Sequence, residues 1–287
     1  MKKFKILGIY RNPKFSNNAI EVDRLILEQS IEQLRAQCAQ EIEVEMVEES
    51  EVPASGGAYD LVFTMAQAEE TLAAIEKNFG SSPVWNSSAA IRNCYRKTMS
   101  RILTGLNLGY APYQILSTSA QAPRFDPAGS YWLKRSDFHA ISDEDVTLAE
   151  SQTELEDKLG RFRARGVTEV ILQRHIHGDI YKFYGVRGKF FRAIKVRDFL
   201  QSTATPELTG LERDSFAAAE ALGLQIFGGD AILDTAGRFH FIDLNDWPSF
   251  RICRDEAARA VGSLARDFLE AQNAKRTAPV VVAAVRA

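Results

Sequence analysis

Cysteine is scarce in this sequence of 287 residues, in which only Cys38, Cys94 and Cys253 occur. They are scattered, odd in number and form no Cys-x-x-Cys pair, which argues against a disulfide framework and a cysteine-based zinc site. Such cysteine usage is typical of a reducing compartment, so we predict a cytoplasmic location.

Long apolar runs and an excess of positive charge are also missing. No stretch approaches the roughly 20 apolar residues of a membrane span, and the apolar part of the first residues is too short for a secretory signal. The net charge is −3 at pH 7, which gives no general attraction to nucleic acid or to an anionic membrane surface. We therefore expect no nucleic-acid partner and no membrane partner.

The composition that remains is that of a globular protein, with 45% hydrophobic and 25% charged residues. A chain of this length allows two or three lobes. Between Phe4 and Asn86, patterns of strand and helix type alternate in the order β-α-β-β-α-β, which predicts a small α/β lobe with a mostly parallel sheet. The acidic stretch from Asp143 to Glu156 is expected to be a solvated loop that leads into a helix.

The most informative stretch, Gly228 to Phe250, reads as a hairpin because a short polar loop with glycine separates two apolar runs. If the loop has four residues, Asp234 faces Phe239. Counting back along both strands then places Asp230 opposite Asp243.

Alternation along the second strand of this hairpin puts Phe239, Phe241, Asp243 and Asn245 on one face. Asp230, Asp243 and Asn245 would then converge at one end and supply only oxygen ligands. Hard oxygen ligands suit Mg²⁺, which usually takes one or two carboxylates and completes its shell with water and substrate phosphates. The alternative is that Asp243 and Asn245 simply end a strand before a turn.

A second hairpin is predicted from Ile180–Val186 and Lys189–Val196, which turn at Arg187-Gly188. With a two-residue turn, Lys182 and Lys195 share one face of the ribbon. Two lysines on one face suit a polyanion, and an exposed face balanced by acidic neighbours is the alternative.

Other candidate residues are weak signals taken singly. Lys97 lies on a helix capped by Asn86-Ser87-Ser88, where most lysines face solvent. Lys134 ends a strand. His175 and His177 stand at i and i+2, but no third histidine or cysteine is near, so a histidine metal site is not expected.

The order of these features is more specific than any one of them. The chain carries, in sequence, Lys97 on a helix, Lys134 at a strand end, a polar hinge from Gln173 to Gly178, Asp179-x-x-Lys182, Gly-Gly-Asp at 228–230 and Ile-Asp-Leu-Asn at 242–245. This order resembles the ATP-grasp superfamily, in the branch of glutathione synthetase, the ribosomal-protein glutamate ligases and the D-alanine–D-alanine ligases. The resemblance spans about Met1 to Phe268.

The resemblance implies an α/β protein (α+β lobes) with the ATP-grasp fold and an N-terminal pre-ATP-grasp α/β domain. The implied divisions are the N-terminal domain at 1–95, a central small ATP-grasp lobe at 96–175, a C-terminal ATP-grasp lobe with the metal site at 176–272, and a tail at 273–287.

The resemblance also implies roles for individual residues. Lys97 and Lys134 correspond to the two lysines that contact the phosphates of ATP. The adenine hinge and the ribose contact correspond to Gln173, Arg174, His175, Ile176 and Asp179. The basic residues that face the phosphates or the acceptor, and so act in catalysis, are Lys182, Lys195 and Arg197. The set that would bind Mg²⁺ or Mn²⁺ is Asp230, Asp243 and Asn245.

Several positions depart from the ligase pattern. The loop after Lys134 lacks the usual glycines, and Asp243 stands where glutamate is commoner. The segment from Asp246 to Phe250 replaces a small residue followed by Pro-Gly. That form is nearer to the inositol polyphosphate kinases of the same superfamily. These departures concern the acceptor more than ATP binding.

The resemblance implies an ATP- and Mg²⁺-dependent ligase that joins a carboxylate to an amine or thiol through an acyl phosphate. Its partners would be small-molecule carboxylate and amine substrates, with a homodimer common in the family. The acceptor pocket is expected between Arg11 and Asn12 on one side and Arg251 on the other. The alternatives are a small-molecule kinase with the same ATP site and a nucleotide-binding protein with a relic site.

Overall fold

The computed structural model describes residues 3–16, 19–52, 56–127, 129–138, 142–196 and 208–277. Within these ranges the chain forms three four-stranded sheets and seven α-helices. No helix in the described ranges is both long and apolar enough to cross a bilayer.

The first sheet is fully parallel and has the strand order β2-β1-β3-β4. Its elements are β1 (Phe4–Ile9), α1 (Ile20–Gln37), β2 (Ile42–Val47), β3 (Leu61–Thr64), α2 (Glu69–Phe79) and β4 (Val84–Trp85). This arrangement confirms the predicted α/β alternation and parallel sheet. The strands of a parallel sheet have helices on their faces, which is why β1 and β3 are almost wholly apolar and buried.

Two short helices lead to a second, antiparallel sheet of order β5-β8-β6-β7. The elements are α3 (Ser88–Asn93), α4 (Arg96–Gly105), β5 (Tyr113–Ser117), β6 (Tyr131–Arg135), β7 (Val146–Ala149), α5 (Gln152–Ala164) and β8 (Glu169–Arg174). The Ser87 hydroxyl accepts a hydrogen bond from the Ala90 amide and caps α3, as predicted.

The acidic stretch from Asp143 to Glu156 is more ordered than the sequence suggested. Its middle forms β7, which pairs with β6 at the edge of the second sheet. Asp145 is fully buried and forms an ion pair with Arg165. The prediction of a solvated loop was therefore wrong for this part, because the ion pairs of the buried Asp145 with Arg135 and Arg165 outweigh the polar local composition.

The third sheet is antiparallel and has the order β10-β9-β11-β12. Its elements are β9 (Gly178–Val186), β10 (Phe190–Lys195), α6 (Thr209–Leu222), β11 (Ile226–Asp234), β12 (Phe239–Asp246) and α7 (Arg254–Thr277). Gly223 ends α6 in the left-handed conformation, with φ of 81°. Helix α7 reaches Thr277 and so enters the stretch assigned to a tail.

The first and third sheets share one hydrophobic core, which contains Phe4 and Trp85 from one and Trp247 and Phe250 from the other. Helix α7 lies directly against α1, and a Cβ on Gly262 would stand 2.8 Å from the Leu34 amide nitrogen. These contacts fix the N-terminal α/β part on the sheet that carries the candidate metal residues.

The hairpin of β11 and β12 has an irregular register. Leu233, rather than Asp234, pairs with Phe239, yet Asp230 still lies opposite Asp243 because Ile242 forms a β-bulge. The predicted opposition of the two aspartates is thus confirmed, while the predicted pairing at the turn was wrong.

The bulge also corrects the predicted faces of β12. Phe241 packs in the core with Leu244, whereas Asp243 and Asn245 line a cavity. Phe241 and Asp243 therefore lie on opposite faces of the strand, although alternation had placed them on the same face.

The ribbon of β9 and β10 turns over three residues instead of two, since Val186 pairs with Phe190. The register consequently shifts by one, so that Lys195 lies opposite Tyr181 and Lys182 lies opposite Ile194. The prediction that Lys182 and Lys195 share a face was wrong.

Candidate functional site

Two cavities meet at Lys182, which lines both of them. One has a volume of about 340 Å³ and lies between the second and third sheets. The other has a volume of about 420 Å³ and lies between the first and third sheets. We call the first the intersheet cavity. We call the second the acceptor cavity, because it is lined by Arg11, beside which the sequence predicted the acceptor pocket.

The intersheet cavity has mainly apolar walls. Its aliphatic lining residues are Val146, Ile176, Ile180, Val196, Ile232 and Ile242. Ile180 and Val196 are 43% and 37% exposed, which is unusual for large aliphatic side chains in this chain. Aliphatic side chains on both sides of a narrow cleft are suited to a flat ring such as a nucleobase.

Trp132 forms another part of this wall and is held by the hinge. Its indole Nε1–H donates to His175 Nδ1 at 3.0 Å, and the His177 ring meets the His175 ring edge-on at 4.5 Å between centroids. Burial, followed by the charge of His177, lowers the pKa of His175 from its usual 6.5. The neutral imidazole is therefore the form that accepts the tryptophan hydrogen bond.

The hinge backbone is already partly used by the protein. The amides of Arg174 and His175 donate to the carbonyl oxygens of Pro112 and Ser130, both at 2.8 Å. The side chain of Gln173 is 1% exposed, and its Oε1 has no hydrogen-bond partner among the described residues. A buried acceptor without a partner is costly, but Gln173 is not in the lining of the intersheet cavity.

Lys134 lies at the inner end of the intersheet cavity. It is 7% exposed, and its ammonium donates to the Ile242 carbonyl oxygen at 3.0 Å. Burial lowers the pKa of Lys134 to about 8, and the charges of Asp243 and Asp230 oppose that shift. A buried ammonium with one carbonyl partner is well suited to bind a phosphate oxygen.

The candidate metal residues lie where the two cavities meet. Asp230 lines the intersheet cavity, whereas Asp243 and Asn245 line the acceptor cavity. The Lys182 ammonium lies 2.9 Å from Asp230 Oδ1. Burial raises the pKa of Asp230, and Lys182 opposes this shift.

This donor set fits a hard divalent cation that is completed by phosphate. Mg²⁺ usually binds one or two carboxylates and takes its other ligands from water and substrate phosphates. The described residues contain no group of three or more His, Cys, Asp or Glu side chains placed to hold a metal. Two carboxylates and an amide would leave the other ligand positions of such an ion to water or a bound substrate.

Arg96 is a site residue that the sequence reasoning missed. It is 4% exposed, lines the acceptor cavity and lies 3.7 Å from Asp243 Oδ2. Its Nε has no hydrogen-bond partner among the described residues. The neighbouring Lys97 instead forms an ion pair with the half-exposed Glu169 and lines neither cavity. Assigning the phosphate contact to the residue one position earlier, at the start of α4, would have identified Arg96.

Asp179 and Lys195 are not brought to the cavities. Lys195 forms an ion pair with Asp179 at 2.7 Å, on the face of the ribbon away from Lys182. Neither residue appears in the wall of the two cavities. Arg197 lies outside the described residues.

Arg11 lines the acceptor cavity, whereas Asn12 and Arg251 are not in its lining. The Arg11 guanidinium lies 3.1 Å from Asp23 and donates to the Trp247 carbonyl oxygen at 2.9 Å. It thus links the first sheet to the segment after β12.

A second polar link crosses the same boundary. Gln67 Nε2 donates to both carboxylate oxygens of the buried Asp246, at 3.0 and 3.1 Å. Trp247 and Phe250 follow with backbone φ angles of 37° and 47°, which residues other than glycine rarely adopt. Both are fully buried, so core packing holds this turn beneath the cavity.

Comparison with known proteins gave a match at the level of structure. No protein-family model and no curated protein matches the sequence. The D-alanine–D-alanine ligase from Bacillus anthracis complexed with ATP superposes with a TM-score of 0.69 and 13% identity, over 94% of this chain and 99% of that one. The ligase from Coxiella burnetii gives 0.64 and 12%, over 96% and 97%.

D-alanyl-alanine synthetase A from Vibrio cholerae gives a TM-score of 0.67 at 12% identity, over 94% of this chain and 99% of that one. At such low identity the likeness concerns the fold. The chain has the ATP-grasp fold of these proteins along nearly its whole described length, as its sequence predicted.

Proposed function

We propose that this protein is an ATP-dependent, ADP-forming ligase that activates a carboxylate as an acyl phosphate for attack by an amine or thiol. The observation that carries the proposal is the cluster of Lys134, Lys182, Asp230 and Asp243, with Arg96, where the intersheet and acceptor cavities meet. The similar structures are ligases, and one of them is complexed with ATP. ATP in the intersheet cavity would direct its phosphates toward the acceptor cavity.

The residues divide the work of binding ATP. Trp132 and the aliphatic walls of the intersheet cavity bind the base. Lys134 binds phosphate oxygens, and Arg96 takes the role that the sequence had assigned to Lys97. The side chains that would hold Mg²⁺ or Mn²⁺ are Asp230, Asp243 and Asn245, and the bound ion would neutralise phosphate charge.

The chemistry requires positive charge and positioning more than an acid–base residue. An acceptor carboxylate oxygen attacks the γ-phosphorus, the bond to the β–γ bridging oxygen breaks, and ADP leaves. The transferred phosphoryl group carries negative charge spread over its oxygens. Three cations lie where the two cavities meet, namely Arg96, Lys134 and Lys182. They would stabilise the charge of the transferred phosphoryl group.

A kinase that acts on a polyphosphorylated acceptor fits the acceptor cavity less well. Its walls carry three cations, Arg11, Arg96 and Lys182, and three anions, Asp23, Asp243 and Asp246. A polyanionic acceptor needs an excess of cations. The balanced walls therefore favour a substrate with a single carboxylate over one with several phosphates.

The proposal is tested first by nucleotide binding and then by turnover. A ligand present at a hundredfold excess over Kd stabilises the native state by ~2.7 kcal/mol, so ATP with Mg²⁺ should raise the melting temperature. ADP release should then require a carboxylate, and ¹⁸O from that carboxylate should appear in inorganic phosphate once the amine is supplied. A stable phosphorylated acceptor without free phosphate would indicate a kinase. ATP binding without turnover for any acceptor would indicate a relic site.

A further inference from the structure

The acceptor cavity has an aromatic wall beyond its charged end. Arg96 lies 3.7 Å from Asp243, and its Nη1 also donates to the Phe138 carbonyl oxygen at 3.4 Å. The Phe138 ring in turn stacks on Phe15, with 6.2 Å between centroids and 28° between planes. The order from the strand end outward is thus Asp243, Arg96, Phe138 and Phe15.

This wall joins two parts of the chain that are far apart in sequence. Phe15 follows β1 of the first sheet, and Phe138 follows β6 of the second. Tyr95 supports Phe138 from behind at 4.9 Å between centroids. Ala19 and Pro248 also line the cavity and add to its apolar surface.

Two charged groups that line this cavity, Arg11 and Asp23, are already bound by the protein. Arg11 uses all three guanidinium nitrogens, on Asp23 and on the carbonyl oxygens of Met65, Asp246 and Trp247. Asp23 also accepts from the Ser16 hydroxyl at 2.7 Å. A second charged group on a substrate would have to displace these partners, and this is costly for buried charges.

We infer that the acceptor is a small monocarboxylate with an apolar substituent, which packs against Phe15 and Phe138. This inference rests on the proposed function, because it takes the reacting carboxylate to lie near Arg96 and Asp243. A cavity of about 420 Å³ is at the lower end of small-molecule sites. It accommodates a phenyl or branched aliphatic group beyond the carboxylate.

The activation step can be followed without knowing the amine. The carboxylate oxygen forms a bond to the γ-phosphorus and ADP leaves with the bridging oxygen. Hydroxylamine nitrogen then attacks the acyl carbon, the bond to phosphate oxygen breaks, phosphate leaves with the electron pair, and a proton passes from nitrogen to water. The products are a hydroxamate, ADP and phosphate, which are measured separately.

The test compares apolar and doubly charged acids in the presence of ATP, Mg²⁺ and hydroxylamine. The apolar acids are 3-phenylpropanoate and 4-methylpentanoate, and the doubly charged acids are succinate and glutarate, which are close in size to 4-methylpentanoate. We expect kcat/KM for the apolar acids to exceed that for the dicarboxylates by about tenfold or more, because the second carboxylate would be buried without a partner.

Two variants locate the effect. Phe15→Ala and Phe138→Ala should each lower kcat/KM for 3-phenylpropanoate about tenfold or more, with the ATP-induced thermal shift unchanged. Phe125→Ala is the matched control, because Phe125 packs on Tyr131 in the second sheet and lines neither cavity. If a variant fails to fold, the comparison of acids on the unmodified protein still decides.

The outcomes separate this inference from the proposed function. Preference for the dicarboxylates, or equal use of both kinds, overturns the inference and leaves the ligase activity standing. An unchanged preference in well-folded Phe15→Ala and Phe138→Ala variants also overturns it. If ATP does not bind and no acid leads to ADP release, the proposed function is overturned, and the inference with it.

Discussion

Asp230 and Asp243 lie directly opposite each other on neighbouring antiparallel strands, and a β-bulge at Ile242 keeps them there. Without the bulge, the register set at Leu233 and Phe239 would offset the two aspartates by one position. The bulge also turns Asp243 toward the acceptor cavity while Phe241 stays in the core. Bulges are common beside active sites for this reason.

Asp243→Asn should lower ADP release by about 100-fold or more, because it removes a metal-binding charge at the point where the phosphates would lie. Asparagine keeps the shape of the side chain, so the melting temperature should change by only about 2 °C. Asp214→Asn on α6 is the control, since Asp214 forms an ion pair with its exposed neighbour Arg213 and lines neither cavity. Full activity of Asp243→Asn would show that the metal assignment is wrong.

The adjacent residues Arg96 and Lys97 give a sharper test of the phosphate contacts. Arg96→Gln should lower kcat by about 100-fold, because it removes a buried cation beside Asp243. Lys97→Gln should stay within about threefold of the unmodified protein, since its partner Glu169 is half exposed and surface ion pairs contribute little. Steady-state ADP release measures both. The reverse order of effects would restore the assignment made from the sequence.

Much of the fold could be predicted because its signals are local. The alternation of strand-type and helix-type patterns marked the parallel sheet, Ser87 marked the start of a helix, and the loop with Gly237 marked the hairpin of β11 and β12. The order of these motifs then predicted the ATP-grasp fold. The similar structures are only 12–13% identical in sequence, so overall identity carries little of this signal.

What could not be predicted depended on single-residue registers and on distant partners. The ribbon of β9 and β10 turns over three residues, and this one residue moves Lys195 to the other face. A helix start gives no sign of which of two adjacent basic residues is buried, so Lys97 was chosen over Arg96. Asp145 looked solvated because its arginine partners lie elsewhere in the sequence.

Lys134→Met should make the protein without nucleotide more stable and abolish its response to ATP. Burial lowers the pKa of Lys134 to about 8, so holding the ammonium charged at pH 7 has a cost in folding free energy. A methionine of similar length removes that cost and should raise the melting temperature by about 2–6 °C. It also removes the phosphate contact, so ATP with Mg²⁺ should no longer shift the melting curve.

The control for Lys134 is Lys189→Met at the turn of the ribbon, where the ammonium pairs with Asp267 on the protein surface. That variant should keep its ATP-induced shift and gain no stability. A Lys134→Met protein that is destabilised yet still binds ATP would contradict both halves of the prediction.

ATP affinity should fall at acidic pH through the contact between His175 and Trp132. Neutral His175 accepts the indole N–H, and a protonated imidazole has no lone pair on Nδ1 to do so. The pKa of His175 is lowered by burial and by His177, and Glu150 opposes the shift. The stabilisation of the neutral form is therefore present above the ordinary pKa of 6.5 and is lost as the pH falls from there through the folded pKa.

The measurement is the Kd of ATP by titration calorimetry between pH 5 and pH 8, together with tryptophan fluorescence. His175→Gln should flatten the pH dependence, because the amide oxygen of glutamine accepts a hydrogen bond at every pH in this range. His240→Gln is the matched control, since His240 binds Asp234 at the hairpin turn and lines neither cavity. ATP phosphate titrates in the same range and affects all three proteins equally. A pH profile identical in all three would show that His175 does not position Trp132.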